Sequence, residues 1–220
     1  MSFDKIMNLV GTASLQTLEM VLFSTVFSIV LGLPLGILLC VTDPVTGIKP
    51  KPILYQVLTR IVNALRSFPF LILMIVLFPL SRFVVGTAIG TKATIVPLSI
   101  AAAPFVARVM ESALKEVDPG VIQAARSMGS STMQIILKVL LPEALPSIVD
   151  GVTLTIINLI GYSAMAGAIG GGGLGDLAIR YGYQRFRPAI MAICVVIILV
   201  MVEIIQLIGT KISHKIISKR

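Results

Sequence analysis

Side chains able to do bond chemistry are few and scattered in this sequence. The single histidine, His214, sits in a basic tail, HKIISKR, with no cysteine near it. The two cysteines, Cys40 and Cys194, each fall inside an apolar run, where a free thiol behaves as a small hydrophobe. Neither belongs to a metal-ligand spacing or a disulfide framework, so no metal site is expected. The 10 acids lie apart. No nucleophile, base and orienting group are gathered as an enzyme needs, and no catalytic residue is expected. Residues 170–175, GGGGLG, fit G-x-G-x-x-G formally. A dinucleotide loop, however, follows a strand and opens a helix within a βαβ unit. Here a long apolar run precedes it, and a tight turn is favoured over a ligand contact. The chain also contains no G-x-x-x-x-G-K-[ST], the loop that cradles ATP phosphates. What remains is a group of polar and adaptable side chains within an apolar run: Tyr162, Ser163 and Met165 of GYSAM. Small residues there serve helix packing, but a solute route needs some polar lining and a thioether can act as a flexible plug. These three are the candidate lining or gate residues.

The second feature is VIQAARSMGSSTMQIILKVLLPEALP, residues 121–146. Asp118 followed by Pro119 reads as an N-cap with proline at the first helical position. Gly129 reads as the residue just past the helix end. Between them lies a helix of about ten residues, about 15 Å long. Its apolar positions, Val121, Ala124, Ala125 and Met128, follow i, i+3, i+4, i+7 and define one face. The centre of that face is two alanines, which let another surface come close. Ser131 and Gln134 form a capping-box pattern that opens a second helix, in which Met133, Ile136, Leu137 and Leu140 repeat the spacing. Pro142 and Pro146 bound it. Two readings fit: an amphipathic hairpin on a membrane surface, or a docking element for another protein.

The elements that must position these residues are apolar. The chain is 56% hydrophobic, 13% charged and has a mean hydropathy of +1.01. A soluble domain carries about 25% charged residues, so this chain needs lipid as part of its solvent. Five stretches suit spanning helices of about 20 residues: residues 20–42, 61–80, 91–110, 145–169 and 188–209. They leave a loop, residues 111–144, that carries the second feature. The first run is expected to be retained as a spanning helix, because Asp4 interrupts the basic start of a secretory signal and the run is too long for one. Pro34, Pro69, Pro79 and Pro97 lie in or near the spans, where proline is tolerated, and none is read as a gate. Glu19, Asp150 and Glu203 lie toward helix ends and are read as partnered or snorkelling groups.

Charge sets the direction. With the C-terminus inside, the cytoplasmic set is Lys49, Lys51, Arg60, Arg66, Arg108, Lys115, Arg126, Lys138, Lys211, Lys215, Lys219 and Arg220. The outer set is only Lys5, Arg82, Lys92, Arg180, Arg185 and Arg187. The expectation is therefore an all-α integral membrane protein of one domain, residues 1–220. It has five transmembrane helices, the N-terminus outside, the C-terminus cytoplasmic and the 111–144 loop inside. The net charge of +8 is spread along the chain, which argues for cytoplasmic loops rather than nucleic acid. The tail reads as an anchor to anionic lipid. An odd number of spans without an internal repeat argues that a full pathway needs a second copy.

The second feature also resembles a known family. Permeases of ABC importers carry E-A-A-x(3)-G-x(9)-I-x-L-P in a cytoplasmic loop. Here the register is Gln123, Ala124, Ala125, Gly129, Val139, Leu141 and Pro142, with every spacing kept. Gln stands for Glu and Val for Ile; the first removes a charge and leaves a hydrogen-bonding group. Three more stretches, residues 66–82, 95–114 and 160–186, are similar to the methionine-importer subgroup. The resemblance implies that the loop forms a coupling helix between helices 3 and 4, with Val121 and Met128 beside the motif residues on the ATPase-coupling surface. It implies a homodimer, two ABC ATPase subunits that hold the ATP and Mg, and an extracytoplasmic methionine-binding protein, all at a bacterial plasma (inner) membrane. No cofactor is expected on this chain. Gly170, Gly171, Gly172, Gly173 and Gly175 would lie at the outer mouth. The substrate implied is methionine, the L isomer first and the D isomer as a candidate. The alternatives are another small amino acid or related solute, and, less favoured, an ion-coupled secondary transporter, which would need mid-helix carboxylates that these spans lack.

Overall fold

The computed structural model describes residues 3–218, so Lys219 and Arg220 of the expected lipid anchor lie outside the described residues. The first helix, α1 (Phe3–Thr42), has 40 residues. At 1.5 Å per residue it is about 60 Å long, twice the roughly 30 Å hydrocarbon core of a bilayer. The expected span of residues 20–42 is thus the second half of a much longer helix. A hydropathy window marks what lipid covers, whereas the helix continues until something stops it. Residues 3–19 hold no proline, and Thr12 and Ser14 return their hydroxyls to the carbonyls four residues earlier. Pro34 sits inside α1 without ending it.

The expected second span, residues 61–80, is not one helix. It is divided among α2 (Pro52–Arg66), α3 (Phe70–Val76) and α4 (Phe78–Val85). The α2 and α3 axes meet at 96°. Pro69 is the cause: it cannot donate an N–H and it disfavours helical geometry at Phe68. Ser67 closes α2 by donating its hydroxyl to the Asn63 carbonyl. Pro79 then opens α4 near its first turn.

The remaining long helices are α5 (Thr91–Lys115), which precedes the short α6 (Pro119–Ser127), α7 (Thr132–Ile135) and α8 (Leu141–Glu143). After them come α9 (Leu145–Ala166), α10 (Gly173–Leu177) and α11 (Pro188–Ile217). Among the described residues every regular element is helical. Among the described residues four helices are long and apolar enough to cross a membrane, and the bent pair α2–α3 can make a fifth crossing.

Packing groups the chain into two units. One takes the start of α1 to Ser28, Phe68–Ala102 and Thr155–Gln206; the other takes Ile29–Ser67, Ala103–Leu154 and the end of α11 from Leu207. The first unit is centred on Met20, Leu98, Leu159 and Ile160, with a second cluster of Val10, Leu174, Ile190 and Cys194. The second unit is centred on Cys40, Leu114, Val117 and Leu140. In it α1 and α5 approach closely at Gly36, where a Cβ would lie 2.7 Å from the Ala107 carbonyl oxygen. Close contact through small residues is the ordinary adhesive of helices in lipid. Large apolar side chains remain outside: Leu199, Val196 and Val200 of α11 are all more than half exposed, as a surface facing lipid requires.

Candidate functional site

The α6 segment forms as its residues dictate. The Asp118 carboxylate accepts from the Gly120 N–H at 2.7 Å, and Pro119 occupies the first helical position. Gly129 has φ +77°, a left-handed geometry that favours glycine. The Ser130 N–H reaches back to the Ala125 carbonyl at 3.1 Å, which satisfies one of the orphan acceptors at the helix end. The capping box is present on both sides: Ser131 accepts from the Gln134 N–H, and the Gln134 side chain accepts from the Ser131 N–H at 2.8 Å.

The four apolar positions of α6 do not share one face. Ala125 is buried, while Val121, Ala124 and Met128 are exposed, Met128 at 80%. Ile122 packs inward against the Leu114, Val117 and Leu140 cluster. Gln123 is exposed. The Arg126 guanidinium donates to the Ile48 carbonyl oxygen. A hollow of about 360 Å³ lies between α6 and the 45–48 loop, lined by Thr46, Ile48, Lys115, Gln123 and Arg126 among others. The second expected face is also rearranged. Residues Ile136–Leu140 wind as a π-turn, which inserts an extra residue into the helical register. Ile135 and Leu140 are buried as a result, and Met133 and Leu137 are exposed. Val139 and Leu141 are half-buried, and Pro142 is exposed.

Beside α6 lies a charge cluster that sequence reasoning missed. Lys115 donates to Asp43 at 2.7 Å and to Glu111 at 2.8 Å. Glu111 also accepts from Arg108 at 2.6 Å and from the Tyr55 hydroxyl at 3.0 Å. The second Arg108 nitrogen donates to the Asn63 side chain at 3.0 Å. Burial alone would raise the Asp43 carboxyl. The Lys115 ammonium and the N–H groups of Thr46 and Val45 outweigh it and hold Asp43 well below the usual carboxylate range. Part of this was readable: Glu111 and Lys115 are an i, i+4 pair in the favourable order. Asp43 and Tyr55 lie 72 and 60 residues from Lys115, and no local pattern joins them.

Within the first unit the three candidate lining residues part company. The Tyr162 ring stacks on Phe70, centroids 4.5 Å apart and planes within 5°. Ser163 is buried and donates to the Ile160 carbonyl of its own helix at 2.8 Å. Met165 is 51% exposed. One turn before it, Gly161 is exposed, and a Cβ there would meet nothing within 4 Å. Met165 and Gly161 thus lie one turn apart on the exposed side of the helix.

The glycine stretch is a built turn. The Gly173 N–H donates to the Gln16 side chain at 3.0 Å and the Leu174 N–H to Thr17 Oγ1 at 2.9 Å. Gly170, Gly172 and Gly173 all have positive φ. A Cβ at Gly175 would lie 2.2 Å from the Ala164 carbonyl oxygen, and one at Gly171 2.8 Å from that of Ala166. Among the described residues no group of His, Cys, Asp or Glu side chains could hold a metal ion.

Helices that leave large apolar faces exposed, with a polar excursion between α5 and α9 in which α6 exposes Val121, Ala124 and Met128, are built as a membrane translocation subunit. The chain belongs to the family described as binding-protein-dependent transport system inner membrane component, whose model matches residues 28–220. It is 51% identical over 209 residues to the probable D-methionine transport system permease protein MetI of Vibrio cholerae, covering 95% of this chain and 92% of that one. It is also 51% identical over 165 residues to the methionine import system permease protein MetP of Bacillus subtilis, covering 75% and 74%. A solved structure of inward-facing conformations of the MetNI methionine ABC transporter matches with TM-score 0.95 at 45% identity, covering 98% of this chain and 99% of that one. An amino acid ABC transporter crystallised with histidines matches with TM-score 0.76 at 22% identity over 96% and 95%, a likeness of fold alone.

Proposed function

We propose that this chain is the membrane-spanning permease subunit of an ATP-driven methionine importer in the bacterial inner membrane. The observation that carries the reading is the near-complete superposition on a chain of the methionine transporter at 45% identity. The D isomer is included because several relatives bear it in their names. The chain is a translocation subunit and not an enzyme; ATP hydrolysis belongs to a separate ATPase chain, which holds the ATP and Mg.

In this reading the five crossings are α1, the bent pair α2–α3, α5, α9 and α11, with the N-terminus outside and the C-terminus inside. The Lys and Arg that flank the crossings on one side, Lys49 and Lys51, Lys115, Arg126 and Lys138, and those of the C-terminal segment support that direction. Two copies form the pathway. Two ATPase subunits take α6 as their coupling helix, and its exposed Val121, Ala124 and Met128 support that role. A binding protein delivers methionine at the outer mouth near Gly170–Gly175. ATP binding draws the ATPases together and displaces the paired α6 helices. The permease turns that displacement into a switch of access between the two sides. Met165, exposed beside Gly161, is the adaptable side chain on the route; Tyr162 and Ser163 set the helix that presents it.

The test is uptake of labelled methionine by vesicles holding this chain, its ATPase and its binding protein, with and without ATP, against a panel of unlabelled amino acids. ATP-dependent uptake competed best by methionine and thioether analogues is expected. ATP-dependent uptake of another solute overturns the substrate, and uptake indifferent to ATP in an assembled complex overturns the reading.

A further inference from the structure

α6 follows α5 through the short link from Lys115 to Pro119, so α5 receives any displacement of α6 through the backbone. α2 and the end of α1 have no such short covalent link to α6. They are reached from Arg126, which donates to the Ile48 carbonyl oxygen in the loop between them. That loop is closed onto the end of α1 by three backbone bonds: Gly47 to Asp43 at 3.1 Å, Lys49 to Val41 at 2.9 Å and Lys51 to Thr42 at 3.0 Å. A Cβ on Gly47 would lie 2.4 Å from the Asp43 carbonyl oxygen, so the loop has no slack. One Asp43 carboxylate oxygen holds the Val45 and Thr46 N–H groups at 2.8 Å each, and the other faces Lys115. Lys115 and Glu111 then reach Tyr55, and Arg108 reaches Asn63, both on α2.

We propose that Asp43, Lys115 and Glu111 are positioning residues that carry displacement of α6 to α1 and α2, and so couple the ATPase stroke to the change of access. The proposal rests on α6 being the ATPase-facing helix. The cluster is suited to move as a block. Two carboxylates and two cations balance, and the Glu111 and Asp43 side chains are only 4% and 9% exposed. Separating them would leave a charge buried without its partner, which is strongly unfavourable.

The test compares uptake with hydrolysis in the same vesicles, using the full complex with ATPase and binding protein. Asp43→Asn keeps an acceptor for the Val45 and Thr46 N–H groups but removes the charge facing Lys115. Lys115→Gln removes the other half. In each, the ATPase is expected to co-purify and hydrolysis to persist, while methionine carried per ATP falls by about fivefold or more, the size of an ordinary coupling. The double variant should be no worse than either single one, because both break one link. Lys115→Arg, which keeps the charge, should restore coupling. If Asp43→Asn fails to fold, Tyr55→Phe deletes a single hydroxyl and should lower uptake per ATP by a smaller factor. Unchanged uptake per ATP in Lys115→Gln or Tyr55→Phe, or uptake and hydrolysis falling in parallel, overturns the proposal. Failure of the α6 reading is seen separately, as ATPase affinity that ignores substitutions at Val121 and Met128.

Discussion

Replacing Val121 and Met128 together by serine isolates the outward face of α6. Full burial of such a side chain stabilises by about 1.5–3 kcal/mol. Met128 is 80% exposed and Val121 42%. Covering those shares against a partner is then worth about 2–4 kcal/mol in total. Losing it raises the Kd of the ATPase for the permease about 30- to 700-fold, at 1.4 kcal/mol per tenfold. The permease alone should keep its stability to within about 0.5 kcal/mol, because exposed substitutions away from special features rarely do more. The assay is titration of purified ATPase onto the permease in nanodiscs, with thermal unfolding of the free permease as the companion measurement. Ala125→Arg gives the opposite pattern, because Ala125 is 4% exposed: the permease itself should be destabilised. An unchanged Kd for the double serine variant, with the permease folded, refutes the argument.

Gly175→Ala should abolish folded permease, since the added carbon meets the Ala164 carbonyl oxygen at 2.2 Å; yield after membrane extraction and thermal melting check it. Met165→Ala and Met165→Trp should both change methionine uptake while leaving ATPase binding intact, and a normal rate in both removes Met165 from the route. Asp43 also gives a pH signature. Its carboxyl lies below the unfolded value of about 4, so acid favours the unfolded chain. Its contribution is whole at neutral pH and drains away as pH falls below about 4; Asp43→Asn should flatten that part of a melting-temperature profile.

Local chemistry was the legible part of this chain. Asp118 with Pro119, Gly129, and Ser131 with Gln134 each act within a few residues, so the two short helices and their caps are legible in the sequence. Apolar length was legible too, which located α5, α9 and α11. The extension of α1 to Phe3 depends on packing of Val10 and Ala13 against residues beyond 170, which a hydropathy window does not register. The 96° break at Ser67–Pro69 was hidden because prolines are ordinary in lipid. The π-turn at 136–140 shifted the second face by one residue, and no composition signal marks such a turn. The Asp43, Glu111 and Lys115 cluster joins residues far apart in sequence, and only tertiary contact assembles it.

The geometry of α6 suits a helix of nine residues to the coupling role proposed for it. Its inward side, Ile122, Ala125 and Arg126, meets the apolar cluster and the 43–51 loop, and its outward side, Val121, Ala124 and Met128, is free. At 3.6 residues per turn both sides are presented within two and a half turns. A longer helix would add area but also length over which it could bend, and displacement applied to one side would be partly absorbed before reaching the other. A short, doubly capped helix moves as one piece. Substitutions on it should therefore sort by side: outward changes alter ATPase affinity at constant permease stability, and inward changes alter stability or the methionine carried per ATP. A substitution on the outward side that lowers uptake per ATP without weakening ATPase binding would contradict this division, and with it the idea that α6 is a rigid two-faced lever.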